Sequence, residues 1–234
     1  MARTVIVGDL HACKNELLAL LDWIGFGQDD RLVCVGDLIV RGPFPRGTLD
    51  LLAALGARAV RGNHEDKLLR HVADPSRPIG EQHRAALARL RRRHVAFLKR
   101  LPLWLDLPEH GVRVVHAGLV PGVPIEEQDP NTLMYVRALG PGGEPLEHRA
   151  EPRGAGARVE RVLWGSAYEG PPHVVFGHNA MPEPQLHAWA TGIDTGCVYG
   201  GRLTAMVLRD GERPPPVEAR RDVLVSVPAR RRYA

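Results

Sequence analysis

The feature that most constrains this chain is a recurrence: short apolar runs stop at or beside a glycine and are followed at once by a residue able to hold a metal or a phosphate. Val5-Ile6-Val7 ends at Gly8-Asp9-Leu10-His11, and Leu32-Val33-Cys34-Val35 ends at Gly36-Asp37. Ala57 to Val60 runs into Gly62-Asn63-His64-Glu65, Val112 to Val115 into His116-Ala117-Gly118, and Val174-Val175-Phe176 into Gly177-His178. After the first two runs, Leu17, Leu18, Leu21 and Ile24, and then Leu49 to Leu55, fall at helical spacing. Strand-loop-helix units of this kind pack into a mostly parallel sheet, and such sheets bind ligands at the carboxyl ends of their strands. The polar loops are therefore expected along one edge.

The rest of the chain is less patterned. The spacing predicts one long amphipathic helix from Glu81 to Leu101, with Leu87, Leu90, Phe97, Leu98 and Leu101 on its apolar face and Arg91-Arg92-Arg93 solvated. Gly, Pro and charge without periodicity predict a long loop over 138–158. Ile193-Asp194-Thr195-Gly196 and Leu203 to Leu208 read as strands joined by a tight turn, and Val223 to Val227 as a final strand before a basic tail at Arg230 to Arg232. With 234 residues, 44% of them hydrophobic, the expectation is one α/β domain over 1–234 that carries the 138–158 loop as an insertion. No apolar run approaches the ~18 residues of a membrane span, and the start lacks the pattern of a signal peptide, so a cytoplasmic protein with no membrane partner is expected. Cys13, Cys34 and Cys197 are too scattered for a disulfide framework or a zinc knuckle. The net charge is +4 and arginine supplies 28 of the 31 basic residues, which favours anionic ligands; nucleic acid is the weaker expectation, because overall charge says little about partners.

Asp9, His11, Asp37, Asn63, His116 and His178 supply carboxylate, imidazole and amide donors. That set suits two divalent ions, manganese first, with zinc, iron or cobalt compatible. Ions held roughly 3.5–4 Å apart can clamp the attacking and leaving oxygens of an in-line phosphoryl displacement.

In order and spacing these segments, with Gly36 to Gly42 continuing as Gly-Asp-Leu-Ile-Val-Arg-Gly, resemble the phosphoprotein-phosphatase branch of the calcineurin-like metallophosphoesterases over about residues 4 to 209. The resemblance implies a central β-sandwich flanked by helices, a four-layer αββα arrangement. It implies that Asp9, His11 and Asp37 hold one metal while Asp37, Asn63, His116 and His178 hold the other, with Asp37 as the bridge. It makes His64 the general acid, and Arg41, Asn63 and Arg137 phosphate contacts. The reaction it implies is in-line attack by a hydroxide held between the two metals.

Two departures refine the expectation. Val40 stands where protein phosphatases of this branch carry Asp, so His64 lacks the carboxylate that would orient it and raise its pKa. A weaker acid suits a nucleoside phosphate leaving from an anhydride better than a serine alkoxide. Symmetrical diadenosine tetraphosphate hydrolases also lack this Asp, and Gly36 to Pro43 and Ile193 to Gly201 are similar to theirs. The expected substrate is therefore a dinucleoside polyphosphate, diadenosine tetraphosphate cut to two ADP. Phosphoserine, phosphothreonine or phosphotyrosine proteins and inorganic polyphosphate are the alternatives on the same scaffold. Ala12, where glycine is usual, puts the local backbone approach in doubt. An idle anion-binding module is the rival from another class, and the complete donor set argues against it. Asp194 and Tyr199 read as turn residues first, with support of His178 or a place beside the substrate as the alternative, Trp164 and Tyr168 as core or base-stacking rings, and Glu65 and Asp66 as helix-start carboxylates. His71, His83, His94, His110, His148, His173 and His187 read as surface or packing residues.

Overall fold

The structure, a computed structural model, describes residues 2–147 and 161–234. Its first sheet runs in the order β13 (Leu224–Pro228), β12 (Arg202–Arg209), β1 (Arg3–Val7), β2 (Arg31–Cys34), β3 (Arg58–Ala59). The second runs β10 (Gln185–Leu186), β11 (Ala190–Gly192), β9 (His173–Phe176), β5 (Val112–Val115), β4 (Trp104–Leu107). Both are mixed. β1, β2 and β3 are parallel, as are β11, β9 and β5, while β12, β13, β10 and β4 pair antiparallel with their neighbours. The single mostly parallel sheet expected from the run of units is thus two sheets, each with a parallel centre.

Period-two alternation builds the layers. Val5 and Val7 face the helices beside Leu17, Leu20, Leu49, Leu52, Leu68 and Leu98. Ile6, between them in sequence, points the other way and meets Val33, Val112, Val114, Val175 and Met206 from both sheets. On the far side Val115, Val174 and Phe176 pack with Leu133, Val136 and Trp164. The central strands β1, β2, β5 and β9 are covered on both faces, so they read as nearly continuous apolar runs. The helices over the first sheet are α1 (Lys14–Trp23), α2 (Pro45–Ala54), α3 (Asn63–Ala73), α4 (Glu81–Arg89) and α5 (Arg92–Lys99); α6 (Pro130–Tyr135) and α7 (Trp164–Ala167) belong to the other side. The arrangement is the four-layer αββα sandwich that the motifs imply.

Three expectations change. The long helix over 81–101 is two helices, because Leu90 and Arg91 are both extended (ψ 151° and 164°). The break lets the His94 side chain turn back onto the Arg91 N–H at 3.0 Å and capture Asp50 at 2.9 Å, while Leu98 stays fully buried. Residues 193–196 are not a strand hairpinned to Leu203–Leu208, since β11 belongs to the second sheet and β12 to the first, where it lies against β1. The intervening segment crosses between sheets at the edge of the site. Within the loop expected over 138–158, β6 (Ala138–Leu139) pairs with β7 (Pro145–Leu146) and with β8 (Val162–Leu163); residues 148–160, His148 among them, lie outside the described residues.

Candidate active site

The loops that follow β1, β2, β3, β5 and β9 meet at the carboxyl ends of the two parallel centres. Their backbones are unusual. Every non-glycine residue with positive φ among the described residues lies here: His11 (42°), Ala12 (61°), Asp37 (49°), Arg41 (82°) and His178 (63°). Such conformations persist only where the surroundings impose them, and here the imposing contacts are visible. His11 N–H donates to the Asp37 carbonyl at 2.6 Å and Ala12 N–H to the Leu38 carbonyl at 2.8 Å, so Ala12 makes the approach that its missing glycine put in doubt. Glycine is needed elsewhere. A Cβ on Gly62 would stand 2.3 Å from Asp37 Oδ1, and one on Gly177 would stand 1.9 Å from Asp9 Oδ1. These carboxylates sit in cradles that any side chain would fill.

The candidate donors lie close together. His116 Nε2 and His178 Nδ1 lie 3.0 and 3.1 Å from Asn63 Oδ1. Asp37 turns Oδ1 to His116 Nε2 and Oδ2 to His11 Nε2, each at 3.6 Å. One carboxylate thus faces two donor sets, the disposition of a bridging ligand. Asp9 Oδ2 lies 3.9 Å from His11 Nε2. The tautomers are set from behind: His11 Nδ1 donates to the Val40 carbonyl (3.1 Å) and His116 Nδ1 to the Val35 carbonyl (2.9 Å), which makes each Nε2 the acceptor nitrogen that faces the site. Arg41 also donates to His11 Nε2 at 3.0 Å, which a guanidinium can do only to an acceptor nitrogen.

Electrostatics point the same way. Burial pushes the Asp9 carboxyl well above its usual range, helped by Asp194 and Asp37, and pushes Asp37 up to about 7. Burial likewise lowers His11 and His178 strongly and takes His116 to about 4. Neutral imidazoles beside buried carboxylates form a donor set that fits divalent metals, and His11, Asp37 and His64, and Asp37, His116 and His178, each bring ligand atoms within 4.8 Å of one another.

Around this centre lies a cavity of about 550 Å³, with Arg41, His64, Arg137, Asp194 and Tyr199 in its wall. Arg137 donates to the His178 carbonyl and to Asn179 Oδ1, which aims it along the rim. The Arg41 guanidinium lies 5.4 Å over the Tyr199 ring. Asp194 is buried and hydrogen-bonds to Asp9, so it and Tyr199 border the site rather than merely closing a turn. Glu65 does more than start a helix: its carboxylate accepts from Leu38 N–H (2.9 Å) and Gly62 N–H (3.1 Å) and ties together the loops after β2 and β3. Trp164 is a core ring that donates to the Ala117 carbonyl at 3.0 Å, and Tyr168 packs beside it.

His83 was missed. Its Nε2 lies 3.0 Å from His64 Nδ1, within hydrogen-bond reach, and the two ring planes are nearly parallel (17°) with centroids 4.9 Å apart. Nothing around His83 in sequence marks it. The one signal was the gap at Val40, which left His64 Nδ1 needing a partner from elsewhere. Of the other histidines assigned to surface or packing, His94, His110 and His173 are buried in structural bonds and His71 is at the surface.

The chain belongs to the calcineurin-like phosphoesterase family, whose model matches residues 2–211. Among its relatives, the bis(5'-nucleosyl)-tetraphosphatase PrpE of Halalkalibacterium halodurans, qualified as asymmetrical, is 30% identical over 96% of this chain and 93% of its own length. The protein of the same description from Geobacillus thermodenitrificans is 29% identical over 86% and 88%. A crystal structure described as a candidate diadenosine tetraphosphatase superposes with a TM-score of 0.81 at 34% identity, over 97% of this chain and 93% of that one. A serine/threonine phosphatase from Saccharomyces cerevisiae shares the fold at 15% identity and a TM-score of 0.57, over 97% and 79%. This chain is therefore a metallophosphoesterase.

Proposed function

We propose that this metallophosphoesterase hydrolyses dinucleoside polyphosphates, with diadenosine tetraphosphate as the type substrate. The observation that carries the reading is the pairing of an intact donor set with Val40: a centre equipped for phosphoryl transfer whose acid has no carboxylate behind it. In this reading Asp9, His11 and Asp37 hold one divalent ion and Asp37, Asn63, His116 and His178 the other, with manganese the first candidate. When bound, such ions supply Lewis-acid polarisation of a phosphoryl oxygen and make water a nucleophile near neutral pH.

The chain's own groups do the rest. Arg41, held by the Tyr199 ring, and Arg137 neutralise charge that develops on the phosphoryl oxygens. His64 Nε2 faces the site 3.9 Å from Asp37 Oδ2 and delivers a proton to the leaving oxygen. His83 fixes the ring from behind, as a carboxylate would, but brings no negative charge. Burial, His11 and Arg41 accordingly hold His64 far below its usual pKa. A weakened acid suits a leaving group that needs little protonation, such as a nucleoside phosphate. The motifs lead to two ADP, whereas the relatives are described as asymmetrical. We adopt the unequal cut, to AMP and ATP, as the working reading.

The test is a manganese-loaded competition between diadenosine tetraphosphate and a phosphothreonine peptide in one reaction, with products separated by chromatography. AMP with ATP supports the reading, and two ADP keeps the substrate class but restores the symmetrical cut. Phosphate released from the peptide while the dinucleotide survives replaces it with a protein phosphatase.

A further inference from the structure

Beside the metal centre lies a second cavity, of about 340 Å³, that the chemistry above leaves unused. Arg41 belongs to the walls of both. The other cationic walls of the second are Arg89 of α4 and the tail residues Arg231 and Arg232, set beside Tyr233 and a mainly apolar floor that includes Ile39, Pro43 and Ala86. No Asp or Glu lines it among the described residues, and none of its four arginines forms an ion pair with an Asp or Glu there. Four arginines on one cavity wall with no Asp or Glu paired to them make that wall attractive to an anion.

The tail is built into this wall. Ala229 N–H donates to the Gly201 carbonyl and Tyr233 N–H to the Val198 carbonyl, both at 2.9 Å. Tyr233 Oη and the Arg230 N–H converge on the buried Glu16 carboxylate of α1, at 2.7 and 3.1 Å. Arg232 packs on Gly200, whose other side walls the main cavity, and its Nε donates to the Ala234 main-chain oxygen. Arg231 lies over the Tyr233 ring at 5.2 Å, and Arg89 is steadied by the Pro43 carbonyl at 3.0 Å.

We infer that this cavity is a polyphosphate subsite, which takes the phosphate chain running past Arg41 away from the reacting phosphorus. The inference rests on the dinucleoside polyphosphate reading and adds a specificity element to it. An unequal cut of a tetraphosphate leaves three phosphates on one side of the broken bond. A subsite of several arginines matches that chain, whereas a phosphomonoester has nothing to place there.

Two measurements on R231A/R232A test it, with R89Q as a second variant on another element. Inorganic tripolyphosphate titrated into the metal-free chain at low salt should bind about tenfold more weakly to the double variant, and inorganic phosphate should change less than about twofold. In the manganese-loaded enzyme, the ratio of kcat/KM on diadenosine tetraphosphate to that on p-nitrophenyl phosphate should fall about tenfold, chiefly through KM. Tripolyphosphate affinity and this ratio both unchanged in both variants would overturn the subsite. A wild-type enzyme that ignores diadenosine tetraphosphate, together with a double variant that loses tripolyphosphate binding, would remove the proposed substrate and leave the polyphosphate subsite standing.

Discussion

His83 shows how a family's chemistry can survive the loss of one of its parts. The position before Arg41 carries Val40, fully buried and unable to touch an imidazole proton, yet His64 is still held at Nδ1, by a residue nineteen positions away on another helix. Orientation and charge, which an Asp supplies together, are here separated. His83→Ala should therefore lower kcat about tenfold for an alkyl phosphate, whose leaving oxygen needs the proton, and less than twofold for p-nitrophenyl phosphate, whose oxygen does not. Equal losses on both would mean that His83 merely packs. The glycines are as exacting. A Cβ at Gly42 would stand 2.0 Å from the His11 carbonyl oxygen, so Gly42→Ala should cost roughly 1–3 kcal/mol in denaturant unfolding and weaken manganese binding measured by calorimetry. At this scale the sequence was most legible at the proposed metal ligands. Asp9, His11, Asp37, Asn63, His116 and His178 all stand at strand ends beside or near glycine. It was least legible where a residue serves another residue, because the partners of Glu65 and His83 are set by how separate loops and helices dock.

Strands were easier to read than their partners. The apolar runs at Val5, Leu32, Val112 and Val174 are strands, but the assignment of each to one of two sheets depends on which face meets which neighbour, and alternation within a run does not record that. The same limit explains why 193–196 was joined to 203–208. The break between α4 and α5 hid for another reason: Leu90 and Arg91 carry no proline or glycine, and the apolar spacing continues across them because both helices pack on the same core. Trp164 in α7 shows an element holding the site from outside. Its ring packs onto Gly118 and Phe176, and its Nε1 bonds the Ala117 carbonyl in the loop that presents His116. Trp164→Phe should leave that carbonyl unsatisfied and cost about 1–3 kcal/mol, read as a lower midpoint in urea with the slope unchanged.

For the whole molecule, the metal centre is a seam between two sheets and should govern stability. In the metal-free chain burial holds Asp37 and Glu65 at about 7, above their unfolded values. The unfolded chain releases those protons near pH 4 while the folded one keeps them, so metal-free stability should fall as pH rises from about 4 to about 7. Manganese at a hundred times its Kd should add about 2.7 kcal/mol, roughly 5–10 °C in a thermal melt at pH 7.5, and a chelator should remove it. An unchanged Tm would mean that the buried acids have found another answer.

The pairing of β1 with β12 has a consequence for the chain as it is made. Val5 lies opposite Val207, so one flank of the strand that presents Asp9 and His11 stays open until some two hundred further residues have left the ribosome. At bacterial rates of about 5–20 residues per second that is on the order of 10–40 s. Through that interval an apolar strand edge and two proposed metal ligands wait without their partners. The sheet that carries this edge of the site can therefore close only when the chain is nearly complete.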